Sequence, residues 1–295
     1  MLSTYNGSKY LKEQLDSLQN QTYKNFEIIA RDDGSSDNTL EILKAYDVKL
    51  MDAGKNLGAK GSFTELLSYA TANSEAEYFM FCDQDDVWKS DKIEKTIVKM
   101  QEMEQEFGVV PLLVHTDLEV VDEKLNTISG SFLGFQKLNP AKNNFNNLLM
   151  QNVITGCTVM LNKELAKKCL YMPNEAIMHD WWIGLAASYF GKIGYVQEAT
   201  IKYRQHTSNT IGAKEFNIAF VLEKIFKKIR VEENAAQAKA FLQYFEKELD
   251  EGAKKMLREF AYIQTKSFWQ KRVILWKYRL LKNGFMRNAG LFLKV

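Results

Sequence analysis

The chain has 295 residues, of which 46% are hydrophobic, enough for a sizeable core, and 39 Lys and Arg stand against 37 Asp and Glu. A net charge of +2 argues against a dedicated nucleic-acid binder, which carries a concentrated basic excess. No run approaches the roughly 18 apolar residues that span a bilayer, and Met1 is not followed by a signal-peptide core. Cys82, Cys157 and Cys169 are far apart, odd in number and without a CxxC pair; neither a disulfide framework nor a zinc site is expected, and a reducing, cytoplasmic setting fits.

Taken in chain order, Leu11, Leu15 and Leu18 recur at helical spacing, and residues 26–30 predict a short buried strand running into the turn Asp32-Asp33-Gly34-Ser35-Ser36. Asp37 or Asn38 can cap the next helix. Residues 48–51 predict a second strand, 63–72 a crossover helix and 78–82 a third strand. Strands alternating with helices predict an α/β fold with a mostly parallel sheet. Ligands of such sheets bind beyond the carboxyl ends of the strands, so both acidic clusters, Asp32-Asp33 and Asp83 to Asp86, should face one cleft.

A long helix is predicted over 92–107. Beyond it, 109–115, 119–121, 157–161, 193–196 and 200–203 read as extended, 181–189 as a helix and 139–152 as a polar, asparagine-rich connection. From Lys214 the pattern is helical, and there is no internal repeat or low-complexity tract.

Asp83, Asp85 and Asp86 put three carboxylates into four residues at the end of an apolar strand. Such packing costs energy unless something positive neutralises it. A divalent ion would do so, and oxygen ligands select Mg²⁺ or Mn²⁺ over zinc; the alternative is a solvated acidic loop. Residues 32–37 offer carboxylates, a Gly that permits close approach, and hydroxyls, which suit a ribose or a base N–H, although alone they amount to a turn and a helix cap. His206, one of three histidines, can act as metal ligand or phosphate partner or sit on the surface, while His115 reads as a strand or core residue. Trp88, Trp181 and Trp182 can stack on sugar rings or fill the core.

These clusters, with Ser3-Thr4-Tyr5-Asn6-Gly7, Gln21-Thr22-Tyr23 and Asn56-Leu57-Gly58, resemble the family 2 glycosyltransferases, whose fold is the GT-A nucleotide-sugar-binding domain. Asp83-Gln84-Asp85-Asp86-Val87-Trp88, His179-Asp180-Trp181-Trp182 and Tyr203-Arg204-Gln205-His206 are similar to the rhamnosyltransferase-like branch of surface-polysaccharide biosynthesis. The likeness covers 1–212, which implies a GT-A domain there and a helical C-terminal extension over 213–295. It implies that Thr4 and Tyr5 line the base pocket, that Asp33 with Asp32 holds the pyrimidine, and that Asp83 reaches the ribose. Asp85 would bind the Mn²⁺ or Mg²⁺ that bridges the diphosphate, with His206 as a further ligand and Arg204 on the diphosphate. Asp86 would either support the residues that touch the ligand or contact the sugar itself, Trp182 would lie toward the sugar, and Lys60 would be either a phosphate contact or a surface residue.

The resemblance makes Asp180 the general base of an inverting transfer; by itself it can equally be the helix N-cap before Trp181. His179 stands where the family commonly has Glu. The first donor implied is dTDP-L-rhamnose, otherwise a UDP-hexose, and the acceptor a polysaccharide or lipid-linked oligosaccharide. A nucleotide-sugar-binding module without turnover is one alternative. A sugar-1-phosphate nucleotidyltransferase is another, disfavoured because residues 3–9 hold one Gly and one Lys where a triphosphate needs a Gly-rich basic loop. Family members open with an apolar strand longer than Met1-Leu2, so further apolar residues ahead of Met1 are expected. The final 30 residues carry eight Lys or Arg and no Asp or Glu among Trp, Phe and Leu. This composition suits either peripheral contact with an anionic membrane or a helix packed on the domain.

Overall fold

The computed structural model describes residues 1–52, 54–206 and 231–295; the expected domain boundary at 212 and the helical start at Lys214 lie outside them. The amino-terminal part alternates strand and helix: β1 (Leu2–Thr4), α1 (Leu11–Gln19), β2 (Ile29–Asp32), α2 (Thr39–Lys44), β3 (Lys49–Leu50), α3 (Gly58–Asn73) and β4 (Tyr78–Met80). It continues through β5 (Val87–Trp88), α4 (Lys92–Phe107), β6 (Leu112–Val121), β7 (Thr127–Ser129), α5 (Phe132–Phe135), α6 (Phe145–Met150), β8 (Met160–Asn162), α7 (Lys163–Lys168), α8 (His179–Phe190) and β9 (Lys192–Arg204). Four helices close the described chain: α9 (Val231–Tyr244), α10 (Glu251–Ala261), α11 (Phe268–Lys277) and α12 (Phe285–Lys294).

Strands β1, β2 and β3 pair in parallel, in that order, with Leu2 opposite Ala30. A second sheet runs β4-β8-β6-β9-β5 and is mixed, parallel at β6–β9 and antiparallel at β4–β8, β6–β8 and β5–β9. One parallel bridge, Leu2 to Cys82, joins the two. The parallel expectation therefore holds for the strand-helix alternation that motivated it, and the later strands add antiparallel pairs.

Two pairs of expected short strands are each one long strand. β6 keeps its pairing with β9 through register shifts at Thr116/Asp117 and Asp117/Leu118. There the Asp117 carboxylate accepts the Leu118 and Leu133 N–H groups at 2.8 and 3.1 Å, so a polar residue interrupts the apolar pattern without ending the ladder. Residues 157–161 open with a 3₁₀ turn, Gly156–Thr158, because the Thr158 hydroxyl returns to the Thr155 carbonyl at 2.6 Å. Within the polar connection, Asn144 caps α6 through the Asn147 N–H at 3.0 Å, and Leu148 and Leu149 are buried.

One core cluster lies around α1, α4 and β6; the other gathers α3, α6 and α8 with the carboxyl-terminal helices. Phe241 of α9 is fully buried, its ring 5.1 Å from Phe145, 5.4 Å from Trp182 and 4.7 Å from Phe245. An apolar cavity of about 690 Å³ opens beside Met1, lined by Leu2, Phe26, Ile28, Tyr78, Met80 and Trp88 among others. The Met1 ammonium donates to the Met80 carbonyl at 2.9 Å, and burial lowers its pKa. Because Phe241 joins the α9 helix to α6 and α8, Phe241→Ala should destabilise the fold by about 3–5 kcal/mol in urea unfolding. A loss below about 1 kcal/mol would show that α9 is not integral to this core.

Candidate active site

The chain leaves β4 through Phe81 and Cys82 into the Asp83 to Asp86 turn. Asp83, Asp86 and Cys157, the last from the 3₁₀ turn before β8, bring their ligand atoms within 4.8 Å of one another. Asp86 is fully buried; one oxygen accepts the Arg204 N–H at 3.1 Å and the other has no hydrogen-bond partner. Burial first, and neighbouring carboxylate charge second, holds Asp83 and Asp86 above the usual carboxylate range. Burial likewise raises the Cys157 thiol. Behind the cluster the buried Lys92 ammonium lies 4.3 Å over the Trp88 ring, and desolvation brings its pKa to about 8. Asp85 turns the other way, its carboxylate 2.8 Å from His206 Nε2.

This donor set fits a hard divalent ion. Carboxylate oxygens dominate it, one is orphaned and buried, and mutual repulsion keeps the group short of positive charge. Asp85 and His206, hydrogen-bonded to each other at 2.8 Å, add a carboxylate and an imidazole to the groups available at this turn.

The base side is built from the first loop. Gln84 clamps the Tyr5 backbone in both directions, accepting its N–H at 2.8 Å and donating to its carbonyl at 3.0 Å. A Cβ on residue 7 would fall 2.2 Å from Gln84 Oε1, which is why Gly7 stands there. Tyr5 is 51% exposed, a free aromatic face at the rim. Thr4 and Asp32 are buried against each other, joined at 2.9 Å; Asp32 also receives the Ser35 hydroxyl and the Gly34 and Ser35 N–H groups. Asp33 receives the Leu57 and Gly58 N–H groups at 2.8 and 2.7 Å and pairs with buried Arg31, while Asn56 bonds the Asp33 carbonyl at 2.8 Å. The DDGSSD turn and the Asn56-Leu57-Gly58 loop are therefore one unit.

Asp180 lies in the first turn of α8, and the N-cap is Met178, so Asp180 is not the cap. It accepts the Trp181 N–H at 2.7 Å, and the Asn152 side chain and Gly156 backbone favour its charged form. Burial nevertheless raises it to about 6. A Cβ added at Gly156 would lie 3.6 Å from the Asp180 Cβ, and the next residue, Cys157, meets Asp83 and Asp86, so Asp180 lies beside the acidic cluster. His179 is buried with its ring 4.4 Å from Phe63 and 4.8 Å from Phe81, and burial lowers it to about 3. A Cβ on Gly156 would come within 2.7 Å of that ring. The position commonly held by Glu thus carries a neutral packing group.

Two sequence expectations are corrected. Arg204 is 2% exposed and its guanidinium is spent on the Asp85 carbonyl at 2.9 Å, the Glu123 carbonyl at 2.6 Å and the Glu13 carboxylate; it holds the acidic turn from behind instead of reaching a diphosphate. Trp182 has no exposed surface and packs on Phe241 and Phe245, because its phase on α8 points it into the core, away from any sugar. Asp86 is likewise buried and faces the cluster interior. Lys60 donates to the Asn174 and Ala176 carbonyls at 2.7 Å, and His115 is a buried strand residue against Tyr195. Sequence reasoning missed Gln84, Arg31, Lys92, Asn152 and the site role of Cys157. Their only signal is polarity inside otherwise apolar or motif-bearing segments.

The model of "Glycosyl transferase family 2" matches residues 1–170. An uncharacterised glycosyltransferase of Rickettsia typhi is 29% identical over 212 residues, 71% of this chain and 64% of its own length. The chain spans 35% of a Rickettsia conorii glycosyltransferase to which it is 31% identical. The dTDP-rhamnosyl transferase RfbG of Shigella flexneri is 27% identical over 237 residues, 74% of this chain and 75% of that protein. Among solved structures, S. aureus TarS 1–349 in complex with UDP-GlcNAc aligns with a TM-score of 0.59 at 18% identity, over 94% of this chain and 79% of that one, a likeness of fold. With the family model spanning more than half its length and including both strand-end acidic turns, the chain belongs to glycosyl transferase family 2.

Proposed function

We propose that the protein is an inverting, metal-dependent glycosyltransferase that moves a sugar from a nucleoside diphosphate onto a hydroxyl of a polysaccharide or lipid-linked oligosaccharide. What supports this reading is the placement of Asp180, a carboxylate raised to about 6, beside Gly156 and Cys157, the latter meeting Asp83 and Asp86. A general base is most useful when its pKa lies near the working pH. Asp180 accepts the proton of the acceptor hydroxyl as its oxygen attacks the anomeric carbon from the face opposite the diphosphate, and the configuration inverts. Asp85 and His206, next to the Asp83 and Asp86 carboxylates, would hold Mn²⁺ or Mg²⁺, and the ion would supply positive charge against that gathering on the leaving diphosphate. Tyr5 stacks on the base, with Thr4, Asp32 and Asp33 shaping its pocket.

The first donor to test is dTDP-L-rhamnose, after the printed activity of the Shigella relative, and then UDP-sugars, after the UDP-GlcNAc complex of TarS. The reaction belongs in the cytoplasm at the inner face of the membrane, where an activated donor meets a lipid-linked acceptor.

A panel of nucleotide sugars with Mn²⁺ or Mg²⁺ should give turnover with one donor, and Asp85→Ala should lower it about a hundredfold or more. Turnover that is unchanged on chelation would reject the metal role. Asp180→Asn should keep donor affinity and lose about 10²–10⁴ in transfer; a binding module would have no transfer to lose. Below about pH 6 the wild-type rate should fall tenfold per pH unit as Asp180 is protonated, a limb absent from the variant's residual rate. The stability sign is opposite. The folded state binds this proton more tightly than the unfolded chain, so ionisation between the ordinary 3.8 and about 6 costs stability, and Asp180→Asn should be the more stable protein at pH 8.

A further inference from the structure

We infer that helices α11 and α12 form a docking face for an anionic phospholipid bilayer. α11 buries only Ile274 and Leu275. Its Trp269, Val273 and Trp276, at helical spacing i, i+4 and i+7, form one outward stripe, 74%, 58% and 78% exposed. α12 buries only Leu291 and leaves Phe285, Met286 and Leu293 at 87%, 51% and 79%. Arg272 of α11 reaches the carbonyl of Val295, just past α12, at 2.7 Å, so the two helices are neighbours. Exposed apolar side chains in this number on two neighbouring helices mark an interaction surface.

Charge selects the partner. Residues 266–295 carry eight Lys or Arg and no acidic residue, in a chain whose net charge is only +2; Lys277 is paired with Glu259, and Arg272 and Arg287 bond backbone carbonyls while keeping their charge. Each basic residue near an anionic surface strengthens binding about fivefold, and Trp favours the headgroup boundary. Ten-residue helices are too short to span a bilayer, so they lie in its surface.

The face is also wired to the acceptor side of the cleft. Asn146 and Asn147 donate to the Tyr278 and Leu281 carbonyls at 2.8 and 3.0 Å, and Gln151 accepts the Asn283 N–H at 2.8 Å. The next residue, Asn152, favours the charged form of Asp180. Resting on the glycosyltransferase reading, this attachment ties the docking face to the segment that leads to the base.

Co-sedimentation of the full chain with phosphatidylglycerol–phosphatidylcholine vesicles tests the face without donor or acceptor. The protein should bind these vesicles, bind pure phosphatidylcholine at least tenfold more weakly, and release in high salt. The double variant Trp269→Ser/Trp276→Ser should lose at least tenfold in binding while keeping its Tm and its donor hydrolysis in solution. No vesicle binding, equal binding by the variant, or a dimer broken by the variant without vesicle binding overturns the inference. Donor hydrolysis measured without lipid decides the transferase reading separately.

Discussion

Repulsion among the carboxylates at the strand ends is the constraint around which this molecule is organised. Two unit charges about 5 Å apart at an effective dielectric of about 20 repel by roughly 3 kcal/mol. Asp83 and Asp86 meet within such a distance in a buried setting, with Asp85 and Asp180 contributing further charge. The protein supplies only partial relief: one backbone N–H to Asp86, and a Lys92 ammonium desolvated against Trp88. The unbalanced remainder keeps Asp83 and Asp86 above the usual carboxylate range, while burial does the same for Asp180.

Holding such a turn requires cations that stay out of the cleft. Arg204 grips the turn from the end of β9, joining it to Glu13 of α1 and the carbonyl of Glu123. Arg31 does the same for the base side, pairing with Asp33, which receives the Leu57 and Gly58 N–H groups. Removing one partner of a buried pair leaves an uncompensated charge, so these arginines are more valuable as fixed scaffolding than as mobile phosphate hands. Gln84 completes the arrangement by tying the acidic turn to the Tyr5 backbone through two hydrogen bonds.

The carboxyl-terminal helices take part in both core and cleft. Phe241 seals α9 onto α6 and α8, and Asn146 and Asn147 tie the Tyr278 and Leu281 carbonyls to α6. A chain segment distant in sequence thereby braces the helix that precedes Asn152.

The sequence by itself determined the elements whose physics is local: α4 to the residue, α8 within two residues, the strand-turn placement of both acidic clusters, and Asp83, Asp85 and Asp180 as site candidates. Apolar periodicity and adjacent like charges act within a few residues, so they can be seen without a fold. Only the tertiary structure decided that β6 and β9 run unbroken past Asp117, that Trp182 and Arg204 turn away from the cleft, that Cys157 joins Asp83 and Asp86, and that the apolar stripe of α11 stays outside. Each of those outcomes depends on which distant surface covers a side chain, and burial is a property of the assembled layers that spacing along one segment does not encode.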